Sequence, residues 1–418
     1  MKVTAGGKDT VGDMQRVVQS IPSSYTVWKD GTQAIAESNV KGGTDYTTGT
    51  DVVVINNALT ALTGGRTWKE RVVLRGNFSI SSPIYVPDYT SLIIDGKIDN
   101  VATAGEHAII LQGNKTDLWG GHIKGNVASG SAIVGEITLP THPVVCTTIS
   151  NCLITDHGVN GIYFPEGATL VTIRDCDIRN NKGQAGIYVK YNTYISTCVT
   201  VQQCWLYGNT RNGVQAEACL NLNILGGAFE VNGEDGLLAS TVHNLNVQGA
   251  DFEGQDTADY AGIFSQFGIA GHIDNCFFYA NDRGIILDDV DGLQVSNCRF
   301  TGVIVDDMRI EADCHDIHVG PGNWSNADVH MTGDLALADF AGDTRYIGYP
   351  FENSGVETGT GAQQQIAHGI GTVPGYILLS EATTGGALAK VTAPATNQYI
   401  YVTATAAKDY TWYAYTRK

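Results

Sequence analysis

The sequence predicts an all-β protein whose body is a right-handed parallel β-helix of about ten coils, each with three short strands. The main observation is a repeated phrase of alternating apolar residues, a polar residue, a small residue and a bulky apolar residue. The small residue lies at positions 96, 121, 152, 176, 204, 227, 250, 276 and 298, so the period is about 25 residues. A constant period of this length is typical of a solenoid, and the alternation within it is typical of strands.

A second set of small residues runs in phase with the first. Glycine followed by an apolar residue recurs 8 to 12 residues after six of the small positions, at Gly161, Gly186, Gly213, Gly236, Gly262 and Gly284. We expect small residues at the inward corners of the coils, where the chain bends and glycine adopts turn dihedral angles that other residues resist. A leucine-rich repeat is disfavoured because no Leu-x-x-Leu-x-Leu phrase recurs.

Composition excludes several classes of partner. The 418 residues carry a net charge of −18, and no stripe of basic residues offers a surface for phosphate groups. Residues 1–24 have no apolar signal-peptide core, and no window of the sequence approaches a membrane span. We therefore expect no nucleic-acid partner, no membrane insertion and no export through a standard signal.

The repeat explains the nine cysteines better than disulfide or metal chemistry does. Five of them occupy the small position of the phrase, namely Cys152, Cys176, Cys204, Cys276 and Cys298. Their total is odd and no Cys-x-x-Cys pair occurs, so we expect free thiols that stack as small apolar side chains, as in a reducing compartment. The acidic runs at residues 288–291 and 306–307 are interpreted as solvated turns, the alternative being a Ca²⁺ site. No metal site and no cofactor are predicted.

We expect four segments along the chain. Residues 1–45 form an N-terminal adaptor segment outside the repeat, with a short hairpin at residues 25–32. Residues 46–330 form the β-helix, whose open first coil is covered by an amphipathic helix at residues 51–62 with Thr50 or Asp51 as its N-cap. Residues 331–353 are a linker, and the alternating strands of residues 354–418 form a small β-sandwich.

Three carboxylates are candidate catalytic groups. The residues one and three positions after the small residue should point outward, which places Glu230, Asp251 and Glu253 on two adjacent rungs. Like charges roughly 5 Å apart cannot both ionise freely, so one carboxyl group retains its proton and can act as a general acid. A carboxyl pair about 5 to 5.5 Å apart suits retaining glycoside hydrolysis, and a pair about 6.5 to 9.5 Å apart suits inversion. Asp256 and Asp259 offer the wider spacing with Asp251.

Aromatic residues flank these carboxylates and are candidate sugar platforms. Trp205 and Tyr207 occupy the outward positions of the rung before the acidic pair of rungs, and Phe277 and Tyr279 those of the rung after it. Exposed rings stack on the apolar faces of sugars, and tyrosine hydroxyls bind sugar hydroxyls. Two alternatives remain open: the carboxylates form a solvated ladder or a non-catalytic glycan contact, and the aromatic residues pack against neighbouring subunits.

Several segments of the sequence resemble a known family. The phrase Trp28-Lys29-Asp30-Gly31, the helix that begins at Asp51, the pair Gly64-Gly65 and the segment at residues 81–87 resemble the pectate-lyase-like β-helix superfamily. The resemblance covers about residues 25–325 and is greatest to the tailspike-type proteins of bacterial and archaeal viruses. It implies a virion tail protein that is made in the host cytoplasm, attaches to the tail or baseplate through its N-terminus and acts extracellularly on a cell-surface polysaccharide.

The resemblance leaves the reaction open. Pectate lyases use an Arg or Lys base beside a Ca²⁺-binding Asp cluster, and polygalacturonases use paired aspartates, Gly-His-Gly and Arg-x-Lys, none of which occurs at matching positions here. The protein is therefore predicted to bind a polysaccharide, with cleavage by hydrolysis or elimination undecided. The alternatives are a free polysaccharide lyase, hydrolase or epimerase, and a purely structural β-helix.

A homotrimer is also predicted. The outward positions that follow the glycines include Leu238, Phe264 and Ile286, which would be unusual on a solvent face. Cyclic packing of three such faces would bury these side chains and would combine weak glycan contacts into avidity.

Overall fold

The computed structural model describes residues 24–40, 43–136, 144–255, 257–311, 313–320 and 322–325, and the shorter stretches 331–332, 345–346, 352–358, 360, 362–367, 376–381, 389–395, 399–404 and 409–415. Residues 1–23, Asp256 and most of the predicted linker lie outside this description. The described part of the chain is a parallel β-helix of about ten coils, followed by two small antiparallel sheets. The predicted fold class is confirmed.

Each coil supplies two strands to a 24-stranded sheet and one strand to an 11-stranded sheet. The first strands, called upstream strands, are β7 Asp117–Trp119, β10 Val144–Val145, β11 Thr148–Ser150, β14 Ala168–Arg174, β17 Thr197–Gln202, β20 Leu222–Leu225, β23 His243–Gln248, β26 Ile269–Asp274, β29 Asp291–Ser296, β32 His318–Val319 and β35 Arg345–Tyr346. The second, called downstream strands, are β8 His122–Lys124, β12 Leu153–Thr155, β15 Asp177–Arg179, β18 Trp205–Tyr207, β21 Ala228–Glu230, β24 Asp251–Glu253, β27 Phe277–Tyr279, β30 Arg299–Thr301 and β33 Trp324–Ser325.

Two longer strands and a separate sheet complete the coils. In the first two coils, β3 Glu70–Ile80 and β5 Thr90–Asn100 run through both the upstream and the downstream position. The 11-stranded sheet consists of β4 Ile84–Val86, β6 Ile109–Leu111, β9 Ile133–Gly135, β13 Ile162–Phe164, β16 Ala185–Val189, β19 Asn212–Glu217, β22 Leu237–Ser240, β25 Ala261–Gln266, β28 Arg283–Asp288, β31 Asp306–Ile310 and β34 Met331–Thr332. Coils therefore repeat the same three strand positions.

One residue in the left-handed region joins the upstream strand to the downstream strand of a coil. Its φ lies between 49° and 65° at Asn151, Asp175, Gln203, Gly226, Gly249, Asn275 and Asn297. Asn, Asp and Gly tolerate this conformation well, which explains the polar or glycine residue that precedes the small residue of the repeat. The small residue itself points inward, and the five cysteines found there are free and buried. The prediction of stacked free thiols at an inward corner is confirmed.

The glycine ladder has a different cause from the one predicted. None of the six glycines from Gly161 to Gly284 has a positive φ. A Cβ atom on Gly236 would instead lie 2.7 Å from Cδ1 of Phe252 and 2.6 Å from the carbonyl oxygen of Gly262. Inside the coils, Phe229, Phe252, Phe278 and Phe300 form a stack with ring centroids 4.7, 5.2 and 4.8 Å apart. Glycine is needed because this stack and the next coil approach the backbone closely.

The N-terminal elements close the first coil. Strands β1 Tyr25–Asp30 and β2 Gln33–Ser38 form an antiparallel hairpin, and β1 also pairs in parallel with β3. The helix α1 Asp51–Thr60 ends two residues before the predicted boundary, and Thr50 is its N-cap without a side-chain hydrogen bond. The Asp51 carboxylate instead accepts hydrogen bonds from Lys29 Nζ at 2.6 Å and the Ser79 amide at 2.8 Å. The predicted capping helix is confirmed. Among the described residues, no helix has the length and apolar character that a membrane crossing requires.

The C-terminal strands form two three-stranded antiparallel sheets. Their strands are β36 Glu352–Thr358, β38 Tyr376–Glu381 and β41 Asp409–Tyr415 in one sheet, and β37 Gln363–Ala367, β39 Ala389–Ala393 and β40 Tyr399–Ala404 in the other. Ile400, Val402 and Trp412 are buried in a small core of their own. The predicted small C-terminal β-sandwich is confirmed, while the boundaries proposed at residues 331 and 354 stay predictions.

The outward face of the 11-stranded sheet is less exposed than predicted. Leu238, Phe264 and Ile286 are neighbours in register on successive coils. Leu238 and Phe264 are half-buried, and Ile286 is only 6% exposed. Side chains stacked at about 4.8 Å cover one another, so this column is not a fully solvent-facing apolar surface. Strongly exposed apolar side chains lie instead at the corner that leads back to the upstream strands, among them Leu220, Phe267 and Ile269.

Candidate functional site

The outward side chains of the downstream strands form one continuous surface, here called the acid–aromatic strip. Its rungs are Asp177 with Arg179, Trp205 with Tyr207, Ala228 with Glu230, Asp251 with Glu253, Phe277 with Tyr279, Arg299 with Thr301, and Trp324. The middle residue of each three-residue strand points inward and is completely buried, from Ile178 to Phe300. The period-two alternation thus places all seven candidate residues on the same face.

The three acidic residues lie at the centre of the strip. Glu230 and Glu253 are direct partners on adjacent rungs, which are about 4.8 Å apart. Asp251 precedes Glu253 by two residues on the same strand and is half-buried. Its Oδ1 atom is inaccessible to solvent and accepts no hydrogen bond from the described residues. Burial raises the pKa of Asp251 to about 6, and the charges of Glu253 and Glu230 act in the same direction.

The raised pKa of Asp251 has a different main cause from the one that the sequence spacing suggested. From the sequence, repulsion between like charges was expected to keep one carboxyl group protonated. In the structure, burial of Asp251 raises its pKa more than the charges of Glu253 and Glu230 do. Asp259 does not join the group: its side chain is largely exposed and lies 3.5 Å from the Arg283 guanidinium. Asp256 lies outside the described residues. Asp251 therefore lies at the centre of the strip, with Glu253 on its own rung and Glu230 on the adjacent rung.

The aromatic rungs present partly exposed rings on both sides of the acids. Trp205 and Tyr207 are 39% and 36% exposed, and their ring centroids are 5.7 Å apart. On the other side, Phe277 is half-buried and Tyr279 is 41% exposed, with centroids 6.1 Å apart and nearly parallel planes. Each pair lies one rung from a carboxylate, so a chain molecule that stacks on both pairs must cross the acids.

Two arginines lie near the two ends of the strip. The Arg179 guanidinium lies 5.4 Å from the Trp205 ring centroid and binds Asp177 at 2.6 Å. The Arg299 guanidinium lies between two rings, 5.7 Å from the centroid of Phe277 and 4.7 Å from that of Trp324. Trp324 lies 25 residues after Arg299 and so keeps the period of the repeat. It was not among the predicted site residues, because Asn323 takes the place of the small residue in the last coil.

Acidic residues outside the strip are also buried, and one prediction about them is wrong. Asp306 and Asp307 are completely buried, so the interpretation of residues 306–307 as a solvated turn is wrong. Asp306 instead forms an ion pair with Arg283 inside the coil corner. Burial also raises the pKa of Asp235 to about 7, and this carboxyl group accepts a hydrogen bond from the Ala261 amide. Among the described residues, no cluster of three or more His, Cys, Asp or Glu side chains is arranged to hold a metal ion.

A cavity of about 310 Å³ lies away from the strip, on the outward side of the first coils. Trp68, Lys69, Arg71, Ser91 and Asp117 are among its lining residues. Lys69 and Asp117 form an ion pair across it at 2.7 Å. The cavity contains none of the residues of the strip, so the two surfaces are separate candidates for binding.

Comparison with known proteins agrees with the fold. Residues 87–252 match the family model described as the right handed beta helix region. This range runs from just before β5 into β24 and includes three of the seven rungs of the strip and part of a fourth. The coils are therefore those of a right-handed parallel β-helix, as predicted from the repeat. No curated protein matches the sequence.

Solved structures with a similar fold have very different sequences. The Dettilon tailspike protein is 11% identical, with 98% of this chain and 96% of that chain covered and a TM-score of 0.49. The A-module of the mannuronan C-5 epimerase AlgE4 of Azotobacter vinelandii is 14% identical, with coverages of 72% and 91% and a TM-score of 0.49. The surface adhesin PfbA of Streptococcus pneumoniae is 11% identical, with coverages of 77% and 94% and a TM-score of 0.48. No site residue is transferred at these identities.

Proposed function

We propose that this chain is a tailspike-type protein that binds a cell-surface polysaccharide along the acid–aromatic strip and hydrolyses it there. The observation that carries the proposal is the order of the rungs, in which the acids Asp251, Glu253 and Glu230 lie between two pairs of partly exposed aromatic rings. The rungs of Trp205 and Phe277 are three intervals apart, about 14 Å. A polysaccharide that stacks on both passes directly over Asp251.

The aromatic rungs supply most of the proposed binding energy. Sugar rings have apolar faces of axial C–H bonds, which pack on Trp205 and Phe277, while their hydroxyl groups bind the hydroxyls of Tyr207 and Tyr279. Individual contacts of this kind are weak in water. The proposed homotrimer would display three strips at once and so would raise the avidity for a surface that carries many copies of the glycan.

Asp251 is the proposed general acid. Its raised pKa leaves a substantial protonated fraction at mildly acidic pH, and the proton passes to the glycosidic oxygen as the bond from that oxygen to the anomeric carbon breaks. A water molecule attacks the anomeric carbon and gives a proton to the carboxylate of Glu253 or Glu230. Backbone positions of these residues lie about 6.6 and about 8 Å from that of Asp251. Direct attack by water, with one carboxyl group as general acid and another as general base, inverts the configuration at the anomeric carbon.

The place of action follows from the resemblance of the N-terminal segments, including the hairpin around Trp28 and the capping helix α1. We propose attachment to a virion tail or baseplate through the N-terminal residues, with the β-helix directed at the host surface. The cell-surface polysaccharide is thus both receptor and substrate.

Amide substitutions test the catalytic proposal. Asp251→Asn, Glu230→Gln and Glu253→Gln should leave the circular dichroism spectrum unchanged, because the three side chains point outward. Release of reducing ends from a bound polysaccharide should fall by about 10² to 10⁴ for Asp251→Asn and for whichever glutamate is the base. The control is Asp291→Asn, an exposed acid outside the strip. Wild-type turnover in all three strip variants would contradict catalysis.

Trp205→Ala tests binding separately. This variant should weaken attachment to host cells or to the purified polysaccharide by about tenfold, since one stacking platform is lost. If the carboxamide variants bind and turn over like the wild type while Trp205→Ala binds poorly, the strip is a binding site alone. Unchanged attachment in the Trp205→Ala variant would contradict the glycan site itself.

A further inference from the structure

One cation on the strip has no acidic partner. Arg299 is exposed, and its side chain forms no ion pair or hydrogen bond with the residues that the structure describes. Five other arginines of the coils are paired: Arg174 with Asp175, Arg179 with Asp177, Arg211 with Glu234, Arg283 with Asp306 and Arg309 with Glu311. Arg75 on β3, which is not part of the strip, is exposed and forms no ion pair with the described residues. The chain has a net charge of −18, yet none of its described acidic side chains lies within ion-pair distance of Arg299.

Arg299 is nevertheless held in place. Its guanidinium lies over the Phe277 ring and the Trp324 ring, on the rungs directly before and after its own. Contacts with the ring faces use the flat sides of the guanidinium and leave its N–H groups at the edge available for an acceptor. Because the two rings restrict the side chain before any ligand arrives, a ligand loses less free energy in ordering it.

We propose that Arg299, held between Phe277 and Trp324, is the subsite for a negatively charged oxyacid group of the polysaccharide. This inference rests on the proposed function and adds a substrate class to it. A carboxylate or a phosphate monoester or diester on the glycan accepts two parallel hydrogen bonds from the guanidinium edge. The sugar that carries this group lies beyond Phe277, about two rungs or 10 Å from the acidic centre, which itself repels anions.

The two ends of the strip differ, and the difference gives the polysaccharide one orientation. Arg179 at the opposite end has its charge neutralised by Asp177 at 2.6 Å. Only the Arg299 end therefore offers an uncompensated positive charge. A repeating unit with one acidic sugar would place that sugar at Arg299 and a neutral sugar over Asp251.

The test uses an array of bacterial surface polysaccharides in which each acidic polymer is printed beside a modified form. Carboxylates are reduced to alcohols in one modified form, and phosphates are removed in another. Wild-type protein should bind at least one acidic polymer, and the binding should fall about tenfold or more when the acidic group is removed. The form that loses binding tells whether the group is a carboxylate or a phosphate.

Variants of Arg299 assign the effect to this side chain. Arg299→Gln should lower the affinity for the acidic polymer by the same factor and leave the affinity for its modified form unchanged. Arg299→Lys keeps the charge but loses the flat fork and should give an intermediate affinity. Arg174→Gln is the control, because Arg174 is a partly exposed arginine on the upstream strand β14 outside the strip, and this variant should bind as the wild type does. Equal binding of the acidic polymer by Arg299→Gln and the wild type would overturn the subsite.

A second measurement separates this inference from the proposed function. If the wild type binds only neutral polymers, polysaccharide binding stands and the anionic subsite is wrong. If the wild type binds no polymer, the proposed function fails. The anionic subsite is then tested by NMR, from the side-chain N–H resonance of Arg299 during a titration with sodium glucuronate. That resonance should shift with glucuronate and not with methyl glucoside. Absence of a shift would overturn the subsite on its own evidence.

Discussion

At the residue scale, Asp251 shows how a single position in a regular strand comes to have a raised pKa. Its neighbours Glu230 and Glu253 lie on the same face, yet a raised pKa of about 6 is found at Asp251, whose carboxyl group is partly buried. The shorter Asp side chain stays close to the strand, where one oxygen is shielded from water and from hydrogen-bond donors among the described residues. Burial disfavours the ionised form, and the two glutamates add repulsion.

The raised pKa of Asp251 predicts how activity and stability change with pH. A general acid with a pKa of about 6 in the free enzyme should make kcat/KM fall as the pH rises above about 6. The folded-state pKa lies above the unfolded value of about 3.9, so the stabilisation by protonated Asp251 is complete below about pH 4 and is lost as the pH rises through 6. Asp251→Asn should therefore raise the unfolding temperature at pH 8 and change it little at pH 4.

Thermal unfolding of the wild type and of Asp251→Asn from pH 4 to pH 8 checks the stability prediction. Measurement of kcat/KM of the wild type over the same range checks the activity prediction. Glu253→Gln provides the comparison, since removing its charge should lower the pKa of Asp251 and so lower the pH at which the unfolding temperature begins to fall. A kcat/KM that is constant between pH 5 and pH 8 would contradict the assignment of Asp251 as the acid.

At the element scale, the coil corners are determined by steric contact between successive coils. Each glycine of the ladder from Gly213 to Gly284 lies beside the phenylalanine of the next coil's downstream strand. The bulky ring fills the interior, and the missing side chain at the corner makes room for it. The two repeats of the sequence, a bulky residue after the small position and a glycine about ten residues later, are thus two halves of one packing arrangement.

Gly236→Ala should destabilise the β-helix by about 3 kcal/mol, because its Cβ atom would overlap both Phe252 and a backbone carbonyl. The control is Gly64→Ala, since a Cβ atom there would meet nothing within 4 Å and the φ of Gly64 is not positive. Denaturant unfolding of the two variants checks the difference. Phe252→Leu should cost less in the Gly236→Ala background than alone, and strict additivity of the two changes would contradict a shared contact.

At the scale of the whole molecule, the exposed apolar side chains suggest a surface through which the proposed trimer would assemble. Leu220, Phe267 and Ile269 lie at the corner between the 11-stranded sheet and the upstream strands, and Phe267 and Ile269 are 51% and 49% exposed. A corner is a better interface than the flat sheet face, where Leu238, Phe264 and Ile286 already cover one another. The proposed trimer would bury this corner along the helix axis.

Light scattering should give three times the chain mass of 44.6 kDa at micromolar concentration. The double substitution Phe267→Ser with Ile269→Ser should shift the protein toward the monomer, because it removes apolar surface from the proposed interface. Val127→Ser is the matched control: Val127 is 82% exposed at a different corner and its loss should leave the mass unchanged. A wild-type monomer at this concentration would contradict the trimer.

The sequence by itself determined the coils, the direction in which their side chains point and the composition of the strip. These features follow from periods of two and of about 25 residues, which are regular enough to assign each residue to a rung and a face. The seven candidate residues are therefore found on one surface, as predicted. The capping helix was also predictable, since its apolar spacing and its terminal signals are local in sequence.

Only the tertiary structure decided which groups are buried, paired or shielded. Burial raises the pKa of Asp251, residues 306–307 lie in the interior, and the glycines serve close packing, because each of these depends on side chains from a neighbouring coil. The position of Arg299 between Phe277 and Trp324 also depends on neighbouring coils, since the three residues belong to three successive coils. Desolvation and ring contacts arise between coils, and a repeat pattern specifies the spacing of the coils without specifying those contacts.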